Sequence, residues 1–188
     1  MTYRKLLVGA AALSLAVGGS SAALAAGSGK AAPQRATIKE SAKLKMKPNR
    51  YVQDGMRWNK DTYRVRSGGT LHIVGNVITE GPHTFTVVRK KDLPQNAKQM
   101  NNCKVCNTLG KAHGAPPNGQ GPPKFNFLEN GVGQDTPPNV DRPGDSGVTG
   151  PGQSPKESID LKVTAKKGST LYFMCLIHPW MQAKVDVG

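Results

Sequence analysis

The sequence predicts an all-β sandwich that carries one long irregular insertion. Short runs of alternating apolar and polar residues, separated by turn residues, are typical of strands in two packed sheets. The 188 residues include 22 Gly and 14 Pro but only 5% aromatic residues, which favours a loop-rich β domain over a helical one. Residues 92–158 hold ten Pro and ten Gly, and this segment is far longer than an ordinary connection between strands.

The first 25 residues have the pattern of a signal peptide. Arg4 and Lys5 precede an apolar core over 6–17, and the small residues at 23–25 form a cleavage pattern. The apolar run is too short to cross a bilayer. We therefore predict an exported protein, periplasmic or extracellular, in a compartment where disulfides persist.

The chain carries a large excess of positive charge. Its formal net charge is +14, and removal of Arg4 and Lys5 with the leader leaves 14 − 2 = +12. This charge would attract an acidic protein partner, or an anionic membrane or wall surface, with a strength that salt weakens. Predicted export and the lack of a recognition motif argue against nucleic acid as the partner.

Residues 26–48 are predicted to form a flexible basic extension ahead of a folded domain at 49–188. Apolar positions between Ala36 and Met46 follow no clean helical period. Terminal segments of this kind are commonly mobile. A docking arm for a membrane or a protein partner is the alternative.

Strands are predicted on both sides of the insertion. Tyr63 and Val65 alternate with Arg64 and Arg66, which gives that strand one buried and one solvated face. Within the insertion, only 124–128 has strand character. The predicted strands cover residues 56–58, 62–66, 70–74, 84–88, 156–163, 170–173 and 183–187.

The C-terminal stretch concentrates side chains that bind metals. Cys175, His178 and Met181 follow one another at a spacing of three, in a tight loop with Pro179 between two strand-like runs. A thiolate, an imidazole and a weak thioether suit copper that cycles between its two oxidation states. Such a trigonal site needs a second histidine.

Three histidines are candidates for that position. His83 follows a Gly-Pro turn signal at the start of a strand, from which it can face the C-terminal loop across a sandwich. His72 lies within an alternating strand, and we expect it to face solvent. His113 lies in the insertion. His83 is therefore the favoured candidate.

These motifs resemble those of the cupredoxins, the small blue copper proteins. The residues concerned are Gly-Pro-His-Thr-Phe at 81–85 and the C-terminal Cys-x2-His-x2-Met. The short loop, with Pro after the second His, is most similar to amicyanin, and plastocyanin-like members share the same order of ligands. The resemblance covers about residues 50–91 and 158–188. It implies a Greek-key β-sandwich and one type 1 copper ion. Its implied ligands are His83, Cys175 and His178 in the trigonal plane, with Met181 axial.

The resemblance also indicates two residues that could tune the site. Asn76 matches an asparagine that helps tie the two ligand loops together, and Thr84 lies beside His83, where it could hydrogen-bond near the sulfur. The alternative is that both are ordinary turn and strand residues. For the ligands themselves, the alternative is a buried free cysteine with a surface histidine and a core methionine.

Cys103 and Cys106 form a Cys-x2-Cys pair inside the insertion. In an exported protein we expect a disulfide, and no βαβ pattern surrounds the pair to suggest thioredoxin-like catalysis. A second soft metal site with Met100 and His113 is the alternative, although zinc would require a fourth strong donor. A disulfide would leave Cys175 unpaired, as a copper ligand must be.

The sequence thus predicts an exported type 1 copper protein that carries single electrons, and not an enzyme. Neither an activated nucleophile nor paired carboxylates are apparent in the sequence. An acidic redox protein is the expected partner. The alternatives are a protein that binds or delivers copper, and an interaction module that uses the long insertion as its binding surface.

Overall fold

The computed structural model describes residues 30–41, 43–75, 83–113, 139–149 and 158–188. The predicted signal peptide, Asn76 and the strand at 124–128 lie outside these residues, and their predictions stay predictions. None of the described helices combines the length and the apolar character that a membrane span needs.

The described residues form twelve short strands and two helices. A single 3₁₀ turn at Lys90–Asp92 precedes the helices α1 (Ala97–Asn101) and α2 (Lys104–Ala112). The strands are β1 (Arg35–Ser41), β2 (Lys45–Lys47), β3 (Tyr51–Gln53), β4 (Arg57–Trp58), β5 (Thr62–Val65), β6 (Thr70–Val74), β7 (His83–Val88), β8 (Asn139–Val140), β9 (Ser146–Thr149), β10 (Ser158–Val163), β11 (Thr170–Met174) and β12 (Gln182–Val187).

Two five-stranded sheets enclose the main core. Their strand orders are β4-β1-β6-β10-β8 and β5-β12-β11-β7-β9. The chain changes sheets at every step from β4 to β11, in keeping with the crossings between sheets in Greek-key sandwiches. Inward-facing residues of both sheets form one apolar cluster that includes Ile38, Leu71, Phe85, Phe173 and Val185. The predicted all-β sandwich is confirmed.

Strand β1 corrects the prediction of a flexible extension over 26–48. Residues 35–41 lie inside the first sheet, parallel to β6 on one side and antiparallel to β4 on the other. Ala36 and Ile38 are buried in the main core. The alternation of Ala36 and Ile38 is too short to indicate a strand among basic residues, and the strand that pairs with it, β6, begins only at Thr70.

Where the structure describes it, the insertion at 92–158 is more ordered than predicted. Its described part contains α1, α2, β8 and β9, and the last two extend the sandwich by pairing with β10 and β7 respectively. A disulfide joins Cys103 to Cys106, which confirms the expected bond and removes both thiols from a second metal site.

A second apolar cluster attaches α2 to the sandwich. Val88 of β7 and Met174 of β11 pack with Leu176, Cys103 and the partly buried Leu109. Helix α2, with the disulfide at its N-terminal end, thus packs against β7 and β11, the strands next to His83 and Cys175.

Strands β2 and β3 form a separate hairpin. Met46 and Val52 lie opposite each other in its register, and both side chains are exposed. Two-stranded hairpins of this kind contribute little stability by themselves.

Candidate metal centre

Three of the predicted ligands lie together at one end of the sandwich. His83 begins β7, Cys175 directly follows β11, and His178 lies in the loop that leads to β12. Strands β7 and β11 are antiparallel neighbours, so His83 meets Cys175 although 92 residues separate them. Their candidate ligand atoms all lie within 4.8 Å of one another.

The three donor atoms form a compact triangle. Cys175 Sγ lies 4.0 Å from His83 Nδ1 and 3.7 Å from His178 Nδ1, and the two Nδ1 atoms are 3.2 Å apart. A metal ion bonded at about 2.0 Å to nitrogen and about 2.3 Å to sulfur would separate trigonal ligands by about 3.5–3.7 Å. The triangle therefore has the size that such an ion requires.

Backbone hydrogen bonds fold the loop that follows Cys175. The Cys175 N–H donates to the Met181 carbonyl at 3.0 Å, and the Met181 N–H donates to the His178 carbonyl at 2.9 Å. Met181 follows Cys175 and His178 in the same loop, and its side chain is fully buried in the main core. His83, Cys175, His178 and Met181 together have the composition of a type 1 copper site.

Gln182 connects this loop to the insertion. Its Nε2 donates to the carbonyls of Pro179, at 2.9 Å, and Pro94, at 2.8 Å. Both hydrogen bonds of the side-chain amide group therefore go to backbone carbonyls, one in the ligand loop and one just before α1. It holds the end of the ligand loop against the start of the helical segment.

The sulfur of Cys175 accepts hydrogen bonds from the backbone. The N–H groups of Thr84 and His178 each donate to Sγ at 3.4 Å. The Thr84 hydroxyl instead accepts from the Leu176 N–H at 2.7 Å. The expectation that Thr84 acts near the sulfur is confirmed, with its main chain contacting the sulfur and its side chain holding the neighbouring residue.

The metal-free site favours a thiolate. Burial alone would raise the pKa of Cys175, but hydrogen bonds from His178 and His83 outweigh it and lower that pKa to about 6. Burial alone would lower the pKa of His83, but hydrogen bonds to Cys175 and Glu40 raise it to about 9. The thiolate is the form of cysteine that binds metals.

Glu40 is a site residue that the sequence analysis missed. Its Oε1 lies 3.3 Å from His83 Nε2, and both side chains are fully buried. The Trp58 ring packs edge-on against the His83 ring, with centroids 6.2 Å apart. The signal that could have found Glu40 is the alternation of Ala36 and Ile38, which puts Glu40 next on the same inward face.

The other two histidines lie outside the ligand cluster. His72 is partly exposed on β6, as predicted, and its Nδ1 lies 2.7 Å from Asp160 Oδ1. Asp160 also accepts hydrogen bonds from Arg35 of β1 at 3.1 and 3.2 Å. His113 is buried at the end of α2, with Nε2 3.1 Å from the Gly144 carbonyl.

Comparison with known proteins gave matches among solved structures alone. No family model matches the chain, and no curated protein matches it. An auracyanin from Roseiflexus castenholzii has a TM-score of 0.37 and 17% identity over 84% of this chain and 99% of its own. Auracyanin A, a "blue" copper protein from Chloroflexus aurantiacus, has a TM-score of 0.36 and 15% identity over 82% of this chain and 99% of its own. Rusticyanin from Thiobacillus ferrooxidans has a TM-score of 0.37 and 17% identity over 84% of this chain and 79% of its own. These scores are too low to assign a function to this chain.

Proposed function

We propose that this chain is an exported type 1 copper protein that carries single electrons between redox partners. The observation that carries the proposal is the triangle of His83 Nδ1, Cys175 Sγ and His178 Nδ1, sized for a metal ion. Two imidazoles, a thiolate and a weak thioether form the donor set of copper electron-transfer sites. Bound copper would supply a one-electron couple at this position.

The scaffold around the site supports electron transfer. His83 and Cys175 belong to hydrogen-bonded neighbouring strands, and two backbone N–H groups hold the sulfur. Ligands fixed in this way keep nearly the same positions in both oxidation states. Electron transfer then requires little rearrangement of the protein.

One edge of the site is open to a partner. His83 and Cys175 are buried, whereas His178 is partly exposed and its ring lies 5.4 Å from that of Trp180, which is 38% exposed. The partly buried Ile177 adds apolar surface beside them. We infer that electrons enter and leave through His178, and that a partner docks briefly on this apolar edge.

The charge of the chain supports an acidic partner. The net charge of +14, or +12 without the leader, would steer an acidic redox protein toward the basic surface. Attraction to an anionic membrane or wall surface would follow the same rule. The rate of electron exchange with an acidic protein should therefore fall as the ionic strength rises.

We propose a carrier and not an enzyme because the chain itself supplies a full donor set. A catalytic metal site keeps a position for water or substrate, whereas three buried or partly buried donors and Met181 would close this one. A reversible, fast one-electron couple in voltammetry would support the carrier. Tight copper binding without such a couple would support copper delivery instead.

The first experiment is an absorption spectrum of the mature protein with Cu(II). We expect an intense visible sulfur-to-copper charge-transfer band that disappears in Cys175→Ser. The matched control is the double variant Cys103→Ser/Cys106→Ser, which removes the other two cysteine sulfurs and should keep the band. A colourless protein, or colour that depends on Cys103 and Cys106, would contradict the proposed site.

A further inference from the structure

The ring nitrogen of His83 that points away from Cys175, Nε2, faces a buried carboxyl group. Both His83 and His178 direct Nδ1 toward the sulfur of Cys175, which makes Nδ1 the metal-side atom. His83 Nε2 is then left on the opposite side of the ring, 3.3 Å from Glu40 Oε1. Neither side chain is exposed to solvent, so water does not compete for this contact.

Once Nδ1 holds a metal, the donor and the acceptor in this contact are fixed. A neutral imidazole bound through Nδ1 keeps its proton on Nε2, which is then a donor, and a carboxylate is an acceptor. Metal-binding histidines commonly donate their second N–H in this way, which fixes the orientation of the ring and strengthens it as a ligand.

Packing alone does not account for a glutamate at this position. Burying a carboxyl group among apolar residues is costly, and an apolar residue of similar size is often neutral or better for stability. Ala36 and Ile38, which precede Glu40 on the inward face of β1, are apolar as expected for a core strand. The carboxyl group therefore has a role that an apolar side chain would not fill.

The strand that carries Glu40 is held firmly at this point. Glu40 lies opposite Trp58 in the register of β1 and β4. The Lys39 N–H donates to Asn59 Oδ1 at 3.0 Å, and the Asn59 N–H donates to the Lys39 carbonyl at 2.8 Å. Strand β1 thus delivers the carboxyl group to a fixed position beside the ligand.

We propose that Glu40 is a positioning residue for the metal centre, which orients His83 through its Nε2–H and stabilises Cu(II) relative to Cu(I). The inference rests on the proposed copper function. A negative charge beside the ligand favours the more highly charged ion, so its presence lowers the reduction potential. Strand β1 is therefore part of the redox site and not only of the core.

The test compares mature wild-type protein with Glu40→Gln and Glu40→Ala. Glutamine keeps an acceptor for Nε2–H and removes the charge, whereas alanine removes both. Asp160→Asn is the matched control, since Asp160 also anchors β1, through Arg35, but lies outside the ligand cluster. All three variants are first compared by unfolding and circular dichroism to establish that they fold.

Two readouts separate charge from positioning. In the copper-loaded protein, Glu40→Gln should shift the ratio of Cu(II) to Cu(I) affinity about tenfold toward Cu(I), a rise of about 59 mV. In the Zn(II)-loaded protein, nuclear magnetic resonance should detect a slowly exchanging His83 Nε2–H in wild type and Glu40→Gln. The same signal should exchange rapidly in Glu40→Ala, and the control should match wild type in both readouts.

The outcomes distinguish this inference from the proposed function. Equal potentials in wild type and Glu40→Gln, or a protected Nε2–H that survives Glu40→Ala, would overturn the role of Glu40. A wild-type protein that stays colourless with Cu(II) but shows the Glu40-dependent Nε2–H signal with Zn(II) would defeat the copper function and the effect of Glu40 on the potential, and would keep the positioning of His83 by Glu40. Failure to bind either metal would defeat both.

Discussion

Replacement of Ile38 by alanine tests whether residues 35–41 are a core strand or a tether. Ile38 is fully buried and lies opposite Ile73 in the register of β1 and β6. Removing a buried isoleucine side chain costs about 2–5 kcal/mol through lost burial and the cavity that remains. For a domain of this size, about 3 kcal/mol corresponds to a fall in Tm of about 6–12 °C. A tether residue would give no such change.

The assay is urea and thermal unfolding of the copper-free mature protein, because bound metal would add its own stabilisation. Lys39→Ala is the control, since Lys39 is the exposed neighbour on the same strand and should change stability by no more than about 0.5 kcal/mol. If Ile38→Ala unfolds within 0.5 kcal/mol of wild type, the placement of β1 in the core is refuted and the flexible extension is restored.

Two further predictions concern buried and paired side chains. Tyr63 accepts a hydrogen bond from the Lys60 N–H and donates one to Asn59 Oδ1, so Tyr63→Phe should cost about 1–2 kcal/mol in urea unfolding. Burial raises the pKa of Tyr63 to about 12, so spectrophotometric titration should find it among the last tyrosines to ionise, and Tyr63→Phe should remove that late transition. A late transition that persists in the variant would contradict this assignment. Burial would raise the pKa of the Asp160 carboxyl, but hydrogen bonds from His72 and Arg35 lower it overall. Its stabilisation, about 0.5–1 kcal/mol for a partly exposed pair, is therefore present at neutral pH and lost as the pH falls through that lowered pKa. Wild type and Asp160→Asn should differ at pH 7 and converge in strong acid; a constant difference would exclude the ion pair as its source.

Local patterns predicted the parts of the fold that depend on neighbouring residues. Alternating apolar residues located strands such as β5 and β6, and the spacing of Cys175, His178 and Met181 within one loop indicated a metal site. The partner of that loop, His83, was favoured by the Gly-Pro turn before it and by its place at the start of a strand, and the resemblance to a known family agreed with that choice. These features are readable because each is contained in a few consecutive residues.

The parts that sequence reasoning missed depend on distant contacts. Strand β1 is stabilised by β6, and the apolar face of α2 is completed by side chains from β7 and β11. Glu40 is a charged residue whose burial makes sense only beside His83 Nε2. Hydropathy and composition, which treat each segment by itself, predicted solvent exposure for β1 and irregular chain for the helices.

The loop between β11 and β12 has a consequence for protein engineering. Three of the four predicted donors lie within 175–181, a segment closed by its own backbone hydrogen bonds between Cys175, His178 and Met181. Such a segment can be replaced as a unit by a loop of different length, while β11 and β12 stay in place on either side of it. His83 and Glu40 belong to the surrounding frame instead. Redesign of this centre can therefore vary His178 and Met181 by loop grafting, and adjust the buried side separately through β1.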